Sequence, residues 1–388
     1  MKNKIKIAIL IDLLIAGGVQ KTAIEEVRNL RKMGFNASLL VLMRKGFSQK
    51  NRYLVKNIPF AFLSDRYPKV LQKSFRVPYF KFLSTLHLFS PLVAHFFVSS
   101  GEFDIILSHG TTTSFTALSL LYFKKIPYLV MIHDPMAYIF DKVYKKTPLA
   151  YLWPLANLLI PIIEKRIVKN AACCFVASKV HAQFLRLHYG ISPIVLYLGV
   201  KPQKSIVIPH GNKVLSLGRW EKEKNIATIL DLAQNLPKTK FIVAGSWTDK
   251  TDLAWFKSEI KKRGLEKQIE LIINYQEEEL PKIMGLASFW VHPNFEAFSL
   301  SAIEAATHGL PIVIPDKSGV TELFKNGIHG FFPKANDSEG LLEAVKYLIQ
   351  NPQKARQMGA AAAKIARLYT WQRHSKIIAA ALNNFFKH

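Results

Sequence analysis

Apolar residues along this chain fall into short continuous runs that alternate with stretches of amphipathic, helical period. The first run, Lys4–Leu14, leads into an Ala-Gly-Gly-Val turn, then an amphipathic pattern over Gln20–Met33 and a second apolar run over Phe35–Met43. Continuous apolar runs of this length are typical of strands buried on both faces of a parallel sheet. The opening of the chain therefore predicts a strand–helix–strand unit of the Rossmann type.

The same alternation continues to the end of the chain and predicts two domains. Further apolar runs predict strands at Phe103–Ser108, Tyr128–Ile132, Asn170–Ser178, Lys213–Leu217, Lys240–Ala244, Ile269–Ile273 and Ile312–Ile314. The stretch 201–212, with two prolines and a glycine, reads as a linker. With 388 residues, the chain is long enough for an α/β protein with one domain over 1–200 and another over 213–370, followed by a last helix over 371–388.

One stretch, Ala287–Gly309, combines an apolar strand, a Pro-Asn turn and a small-residue helix. Glu296 lies on the turn and Glu304 lies within the helix, which Ser299 or Ser301 is expected to cap. The unpaired N–H groups and the dipole of a helix start favour an anion, while carboxylates beside it can accept hydrogen bonds from the hydroxyls of a sugar. The alternative is a capping box of Ser301 and Glu304, with Glu296 as a solvated loop acid.

This stretch resembles the donor site of retaining, nucleotide-sugar-dependent glycosyltransferases of the GT-B fold, specifically glycosyltransferase family four. The residues that match the family pattern, in order, are Pro293, Glu296, Phe298, Ser299, Leu300, Glu304, Gly309, Pro311, Ser318, Gly319, Glu322 and Gly330. The chain departs from the pattern with Asn294 in place of the usual Ser, and with Ser299 and Ser318 in place of Gly. The resemblance implies two Rossmann-like domains that face each other across a cleft, with the C-terminal helix crossing back to the first domain.

The resemblance also implies roles for residues of the second domain. Arg219 and Lys224 match the pair that binds the diphosphate, with the alternative that they are two exposed cations at a helix start. The helix start at Phe298, Ser299 and Leu300 would also meet the phosphates, Glu304 would hold the ribose and Glu296 the hydroxyls of the donor sugar. Asn274 and Tyr275 occupy the place where the family contacts the nucleobase.

In the first domain, Gly17 and Gly18 match a turn that faces the donor phosphates, with a merely tight turn as the alternative. His133 follows a predicted strand and matches the family histidine that faces the donor sugar and the acceptor. The carboxyl ends of parallel strands are where ligands bind in such sheets, and His109 lies at a second strand end. A structural role is the alternative for each histidine.

Charge adds a possible partner. The chain carries 53 Lys and Arg against 27 Asp and Glu, and Arg44–Lys81 alone has ten cations, one acid and eight aromatic residues. Alternating basic and aromatic side chains suit an anionic membrane surface; a solvated basic face over core aromatics is the alternative. The uncharged runs Phe82–Ser100 and Thr147–Ile163 contain prolines and are interpreted as buried or interface-lying helices rather than membrane spans.

Two further features of the sequence concern the cellular compartment of the protein. Cys173 and Cys174 lie in an apolar run and are interpreted as buried strand residues in a reducing compartment. The first residues imitate a signal peptide, but Asp12 interrupts the apolar region, so a buried first strand explains them better.

Together these observations predict a retaining hexosyltransferase that moves a sugar from a UDP or GDP sugar to a lipid-linked or membrane-associated glycan acceptor. The nucleoside diphosphate sugar is a co-substrate, no metal or other cofactor is expected, and the protein is placed on the cytoplasmic face of a membrane. The alternatives are a sugar-nucleotide epimerase or a phosphorylase on the same fold. A basic nucleic-acid-binding protein is a further alternative, but it leaves Glu296, Glu304 and Arg219 unexplained.

Overall fold

The computed structural model describes residues 4–73, 75, 84–138, 153–203, 213–247 and 249–387. The chain forms two compact units, one of Met1–Tyr197 with Trp371–His388 and one of Leu198–Thr370. The first contains a seven-stranded sheet and the second a six-stranded sheet, and every strand pairing in them is parallel. The prediction of an α/β fold with two Rossmann-like domains is thereby confirmed.

The first unit is a parallel sheet in the order β3-β2-β1-β4-β5-β6-β7. Its strands are β1 Lys6–Leu13, β2 Asn36–Met43, β3 Phe60–Phe62, β4 Ile105–His109, β5 Tyr128–Ile132, β6 Cys173–Val176 and β7 Ile194–Val195. Its helices are α1 Gly18–Lys32, α2 Lys69–Gln72, α3 Thr85–Phe97, α4 Thr111–Lys124, α5 Trp153–Asn170 and α6 Lys179–Tyr189, together with the C-terminal helix Trp371–Phe385. The central strands are buried on both faces, which is why they read as continuous apolar runs.

The second unit is a parallel sheet in the order β10-β9-β8-β11-β12-β13. Its strands are β8 Lys213–Trp220, β9 Lys240–Trp247, β10 Ile269–Ile273, β11 Ala287–Val291, β12 Ile312–Val313 and β13 Gly330–Phe331. Its helices are α7 Ala227–Asn235, α8 Lys250–Lys262, α9 Leu280–Gly285, α10 Leu300–Thr307, α11 Ser338–Gln350 and α12 Pro352–Ala366, and the C-terminal helix of the first unit is α13.

Strand β8 is longer than the predicted Lys213–Leu217, so Arg219 lies in the strand rather than after it. The pairing with β9 continues through Gly218 and Gly245 to Trp220. Gly245 has φ +135°, and a Cβ placed there would lie 1.8 Å from the carbonyl oxygen of Gly218, so a side chain at this position would separate the strands.

The two units are joined where the chain passes between them twice. The first unit ends at Tyr197, slightly before the predicted boundary at residue 200, because Val200 donates its N–H to the carbonyl of Tyr369 at 2.9 Å and pairs with Thr370 in the second unit. Residues 204–212 of the predicted linker lie outside the described residues. Helix α13 packs against α1 of the first unit.

The uncharged runs of the first unit contain helix α3 and the first part of helix α5, up to Ile163. Residues 82–83 and 147–152 of these runs lie outside the described residues. In the part of the chain that the structure describes, no helix has the length and apolar character that crossing a membrane requires. Cys174 is buried in β6 and Cys173 partly so, as the sequence indicates, and burial raises the pKa of the Cys173 thiol to about 11.

Candidate functional site

The centre of the site in the second unit is the carboxylate of Glu296. Its Oε1 accepts a hydrogen bond from the ammonium of Lys224 at 2.7 Å and lies 3.1 Å from Nε2 of His292. Lys224 ends a single 3₁₀ turn after β8, and Glu296 lies on the turn after β11. Strands β8 and β11 are neighbours in a parallel sheet, so their carboxyl ends bring these two residues to one edge.

The electrostatics of this cluster keep Glu296 ionised. Burial raises the pKa of Glu296, but the positive charge of Lys224 and the hydrogen bond from His292 outweigh it and hold that pKa well below the usual range. Burial lowers the pKa of His292, partly offset by Glu296. A neutral imidazole that donates Nε2–H, beside a lysine ammonium, leaves a carboxylate whose second oxygen can accept from a ligand hydroxyl.

His292 is a residue of this cluster that sequence reasoning missed. Its ring is buried, stacks on Trp290 at 5.7 Å and lies 5.2 Å from the ring of Trp220. The available signal was its place, directly after an apolar strand and four residues before Glu296. Two tryptophans fix the imidazole so that it can hold Glu296 in one orientation.

A neighbouring turn braces the backbone that carries Glu296. Ser318 Oγ accepts a hydrogen bond from the N–H of Glu296 at 3.2 Å, and Gly319 N–H donates to the carbonyl of Glu296 at 3.1 Å. Val320 N–H donates to the carbonyl of Phe298 at 3.0 Å. Ser318, a departure from the family pattern, therefore supplies an acceptor that glycine could not.

The start of helix α10 differs from the prediction. Ser299 is its N-cap residue, with φ +77°, but its side chain makes no capping hydrogen bond; its Oγ lies 3.3 Å from Oγ of Ser301 instead. The expectation that Ser299 or Ser301 caps the helix is wrong at Ser299, because a cap needs an extended backbone and this residue is left-handed. Leu300 is the first helical residue and Glu304 is buried in the following turn.

Other predicted residues of the second unit lie at the same edge of the sheet. Arg219 is in the last part of β8, with its Nε 3.6 Å from the carboxylate of Glu221. Asn274 follows β10 with φ +56° and donates its N–H to the carbonyl of Gly245 at 3.0 Å, and Tyr275 comes next. Lys224 does not lie in a helix start: the helix begins later, at Ala227, because Asn225 is left-handed and separates it from the 3₁₀ turn.

In the first unit, His133 follows β5 and lies against a buried polar cluster. Its Nε2 is 3.0 Å from Nδ1 of His109, whose Nε2 is 2.7 Å from the carboxylate of Glu26. The other oxygen of Glu26 is 2.8 Å from Nε2 of His374 on α13. Sequence reasoning missed Glu26 and His374, because a glutamate in an amphipathic helix and a histidine in a distant helix give no signal of their meeting.

Burial and charge act in opposite directions on this cluster. Burial raises the pKa of Glu26, but His109 and His374, which lie within hydrogen-bond distance of its two oxygens, lower it to about 2. Burial lowers the pKa of His133 to about 3, and the nearby His109 contributes in the same direction. The cluster therefore favours an ionised glutamate and a neutral His133.

Two further features of the first unit bear on its predicted site. Gly17, in extended backbone, precedes α1, and Gly18 is the first residue of that helix, at the carboxyl end of β1. Buried Glu164 accepts hydrogen bonds from Thr111 Oγ1 at 2.7 Å, Met136 N–H at 2.6 Å and Tyr189 Oη at 2.6 Å. These bonds fix the backbone three residues beyond His133.

The described aromatic rings of the basic segment Arg44–Lys81 are divided between packed and exposed positions. Phe47, Phe60 and Phe62 pack against one another with ring centroids 5.1–5.8 Å apart, and Tyr67 is buried and hydrogen-bonded to Ser90. Phe62 is buried like Tyr67, Phe47 and Phe60 are partly exposed, and Tyr53 and Phe75 are 39% and 63% exposed. Arg76, Tyr79, Phe80 and Lys81 lie outside the described residues.

Exposed apolar side chains lie instead on two helices of the same unit. They are Leu88, Phe89, Leu92 and Phe96 of α3 and Leu155, Leu158, Leu159 and Ile162 of α5. Helix α4 packs against both α3 and α5 and exposes Tyr122 and Phe123. These ten residues, named here the apolar face, are more than isolated surface apolar groups.

The fold and the clusters at its sheet edges define a class: two parallel α/β units with polar and charged side chains gathered at the carboxyl ends of their strands. A family model described as Glycosyltransferase Family 4 matches residues 16–211, and one described as Glycosyl transferases group 1 matches residues 201–365. The chain belongs to glycosyltransferase family 4, as its motif indicates.

Relatives and solved structures agree with this assignment. The chain is 29% identical over 166 residues to a glycogen synthase of Mycobacterium tuberculosis, covering 41% of this chain and 39% of that one. It is 29% identical over 172 residues to a mannosylfructose-phosphate synthase of Agrobacterium fabrum, covering 42% and 38%. The matched segments therefore span less than half of these relatives.

Among solved structures, a sucrose-phosphate synthase from Thermosynechococcus elongatus superposes with a TM-score of 0.82 at 15% identity, covering 99% of this chain and 100% of that one. HepE from Anabaena, solved with UDP and glucose, superposes with a TM-score of 0.75 at 17% identity, covering 98% and 100%. At these identities the likeness establishes the fold.

Replacing Ser299 with glycine is expected to stabilise the second unit by about 1 kcal/mol, since glycine adopts a left-handed backbone without the steric cost that a side chain bears. Thermal unfolding should show a rise of roughly 2–4 °C. Ser301→Gly is the matched control and should lower stability by roughly 0.5–1 kcal/mol, because Ser301 is helical. A loss of stability in Ser299→Gly would contradict the proposed strain.

The first unit should lose stability as the pH falls below 6.5. Between that value and about 3, His133 takes up a proton in the unfolded chain but not in the folded one, so acidification favours unfolding. Glu26, with its pKa lowered to about 2, adds a further loss from about pH 4.5 downward. His133→Gln should flatten the decrease in unfolding temperature between pH 6.5 and 4.5. His188→Gln, at an exposed histidine, should leave it unchanged; equal slopes in both variants would count against a neutral His133.

Proposed function

We propose that the protein transfers a hexose from a nucleoside diphosphate sugar to an acceptor hydroxyl with retention of configuration at the anomeric carbon. The observation that carries this proposal is the cluster of Lys224, Glu296 and His292 beside the start of α10. It places a cation for phosphate, an ionised carboxylate for sugar hydroxyls and helix N–H groups at one edge of the sheet of the second unit.

In this proposal, departure of the nucleoside diphosphate is the step that the second unit assists. Arg219, Lys224 and the N–H groups at Ser299–Leu300 would stabilise the negative charge that develops on the leaving phosphate. Lys224 has three N–H donors, of which Glu296 uses one, so the ion pair fixes the ammonium while others remain for phosphate oxygens. Two cations at this position supply charge that a divalent ion would otherwise supply, so the proposal requires no metal.

The carboxylates would recognise the rest of the donor. Glu296 would accept hydrogen bonds from hydroxyls of the sugar, and buried Glu304 would accept from the ribose. Retention would follow if the acceptor attacks on the face that the diphosphate leaves, with a phosphate oxygen taking the acceptor proton. No enzyme nucleophile is required, so the distance rules for paired carboxylates in glycoside hydrolases do not apply.

The solved structure of HepE with UDP-glucose supports a uridine nucleotide as the first donor to test. Thermal shift with UDP, GDP and ADP, each with and without EDTA, would identify the nucleotide and show whether a metal contributes. A sugar-nucleotide epimerase would turn over the donor alone. A transferase releases nucleotide only when an acceptor is added, so a lipid extract and a water-soluble glycan extract are compared.

Lys224→Ala and Glu304→Ala are each expected to weaken nucleotide binding and to reduce transfer by at least about tenfold, because a hydrogen bond to a charged group contributes roughly 1.5–3 kcal/mol. Calorimetry with the selected nucleotide measures the first effect. Lys222→Ala is the matched control, because the Lys222 ammonium lies 4.7 Å above the ring of Trp255. A variant that melts far below the wild type yet keeps its specific activity would assign that residue a structural role.

We also propose that the first unit binds the cytoplasmic surface of a membrane and takes a lipid-linked or membrane-associated glycan as acceptor. The apolar face on α3, α4 and α5 supports this proposal, as do exposed cations of the basic segment such as Lys69 and Lys73. Lys165, Arg166 and Lys169 lie on α5 itself, where cations can meet anionic headgroups beside the apolar residues.

Liposome sedimentation separates the electrostatic contribution of the cations to membrane binding from the hydrophobic contribution of the apolar face. Wild type should sediment with anionic vesicles, less so at high salt. Lys69→Glu with Lys73→Glu should lower the salt-sensitive part, because each cation near an anionic surface contributes about 1 kcal/mol. Leu92→Ser with Phe96→Ser should lower the salt-resistant part. Leu368→Ser, at an exposed leucine of the second unit, is the control.

Equal sedimentation with neutral and anionic vesicles would remove the electrostatic contribution. No sedimentation with either would leave a soluble acceptor as the better hypothesis.

A further inference from the structure

A continuous chain of polar side chains runs from His133 into the interior of the first unit. Nε2 of His133 lies 3.0 Å from Nδ1 of His109, and Nε2 of His109 lies 2.7 Å from Oε2 of Glu26. Oε1 of Glu26 lies 2.8 Å from Nε2 of His374, whose Nδ1 lies 2.9 Å from the carbonyl oxygen of Tyr197. Glu26, His109 and His374 are all buried, whereas His133 is partly exposed at the sheet edge.

The protons on this series of hydrogen-bonded side chains can be assigned by starting at His374, the end most distant from His133. A carbonyl oxygen only accepts, so His374 must donate Nδ1–H to Tyr197. Glu26 is ionised, with its pKa lowered to about 2, and a carboxylate also only accepts. His374 must therefore donate Nε2–H as well, which makes it an imidazolium paired with the Glu26 carboxylate.

The same reasoning sets the state of His109. Its Nε2–H donates to the second oxygen of Glu26. A proton on its Nδ1 as well would place two imidazolium ions against one carboxylate, and an uncompensated charge in a buried cluster is costly. His109 is therefore neutral, and its Nδ1 is a lone pair that accepts from His133.

The last step of the chain fixes His133 itself. His133 donates Nε2–H to His109, so its remaining nitrogen, Nδ1, carries a lone pair. Among the described residues, Nδ1 has no hydrogen-bond partner in the protein. It is thus an acceptor at the carboxyl end of β5, where a ligand hydroxyl can reach it.

We propose that Glu26, His109 and His374 are positioning residues that hold His133 in its Nε2–H tautomer, so that Nδ1 accepts a hydrogen bond from a hydroxyl of the donor sugar or the acceptor. This inference rests on the proposed glycosyl transfer for the identity of the hydroxyl. The tautomer itself follows from the hydrogen bonds of the chain. Glu26 and His374 are 348 residues apart, so the state of His133 depends on α13 being docked against α1.

The wild-type tautomer is measured directly by ¹⁵N NMR of the histidine rings at pH 7.5, with His133 assigned from the spectrum of His133→Gln. The expected result is a protonated Nε2 and an unprotonated Nδ1 on His133, and both nitrogens protonated on His374. A protonated Nδ1 on His133 would overturn the proposal. This measurement needs no folded variant of the buried residues and no knowledge of the substrate.

Two substitutions at Glu26 separate positioning from packing. In Glu26→Gln, the amide oxygen still accepts from His109 and the amide N–H₂ donates to a neutral His374, so His133 should keep its tautomer. In Glu26→Leu the chain is broken, and His133 should become a mixture of tautomers. His109→Leu provides the same test from the neighbouring position. Glu25→Gln, which alters an ion pair with Arg28 on the same helix, should change neither tautomer nor activity.

The transfer activity of the same variants then tests whether Glu26 and His109 position His133 for the reaction. Glu26→Leu and His109→Leu should lower kcat by about tenfold or more with the KM for the donor little changed, and Glu26→Gln should stay within about threefold of wild type. A mixed tautomer with full kcat would overturn the positioning role. The expected tautomer in a protein that binds no nucleotide would count against the proposed function but leave the hydrogen-bond chain intact.

Discussion

The buried carboxylate of Glu26 is the interaction on which the polar interior of the first unit depends. A buried carboxylate is tolerated only when its oxygens accept hydrogen bonds from protein donors. His109 and His374 are the donors to Glu26. The first helix, a central strand and the last helix must therefore be docked together before the charge is compensated. His133 does not contact the carboxylate, but its orientation depends on the same packing because it is hydrogen-bonded to His109.

The second unit holds its carboxylate in a different way. Glu296 is partly exposed, is held by one lysine and one imidazole, and keeps an oxygen available to a ligand. Its rigidity comes from the backbone, because the turn around Ser318 bonds the segment that carries it. The left-handed Ser299 next to it stores strain at the start of a helix, as backbone near ligand sites often does.

The charge of the protein and its apolar surface also have separate origins. Phe60 and Phe62 of the basic segment pack against each other, and cations such as Lys69 and Lys73 are exposed. The exposed apolar residues come from α3, from α4 and from the uncharged first part of α5. A surface with both properties is therefore assembled from segments that are not adjacent in sequence.

The sequence by itself determined the order and type of the elements, because helical and strand periodicity are local properties. Strand β1 was predicted over Lys4–Leu14 and lies at Lys6–Leu13. Lys224 and Glu296 were selected because their motifs resemble the donor site of the family, and the neighbouring parallel strands β8 and β11 bring them into contact. Only the tertiary structure decided the partners that depend on distant packing: Glu26 with His374, His292 between two tryptophans, and Phe47 with Phe60 and Phe62. Periodicity shows which face of a helix or strand is apolar, but hydrogen-bond partners and burial are set when separate elements dock.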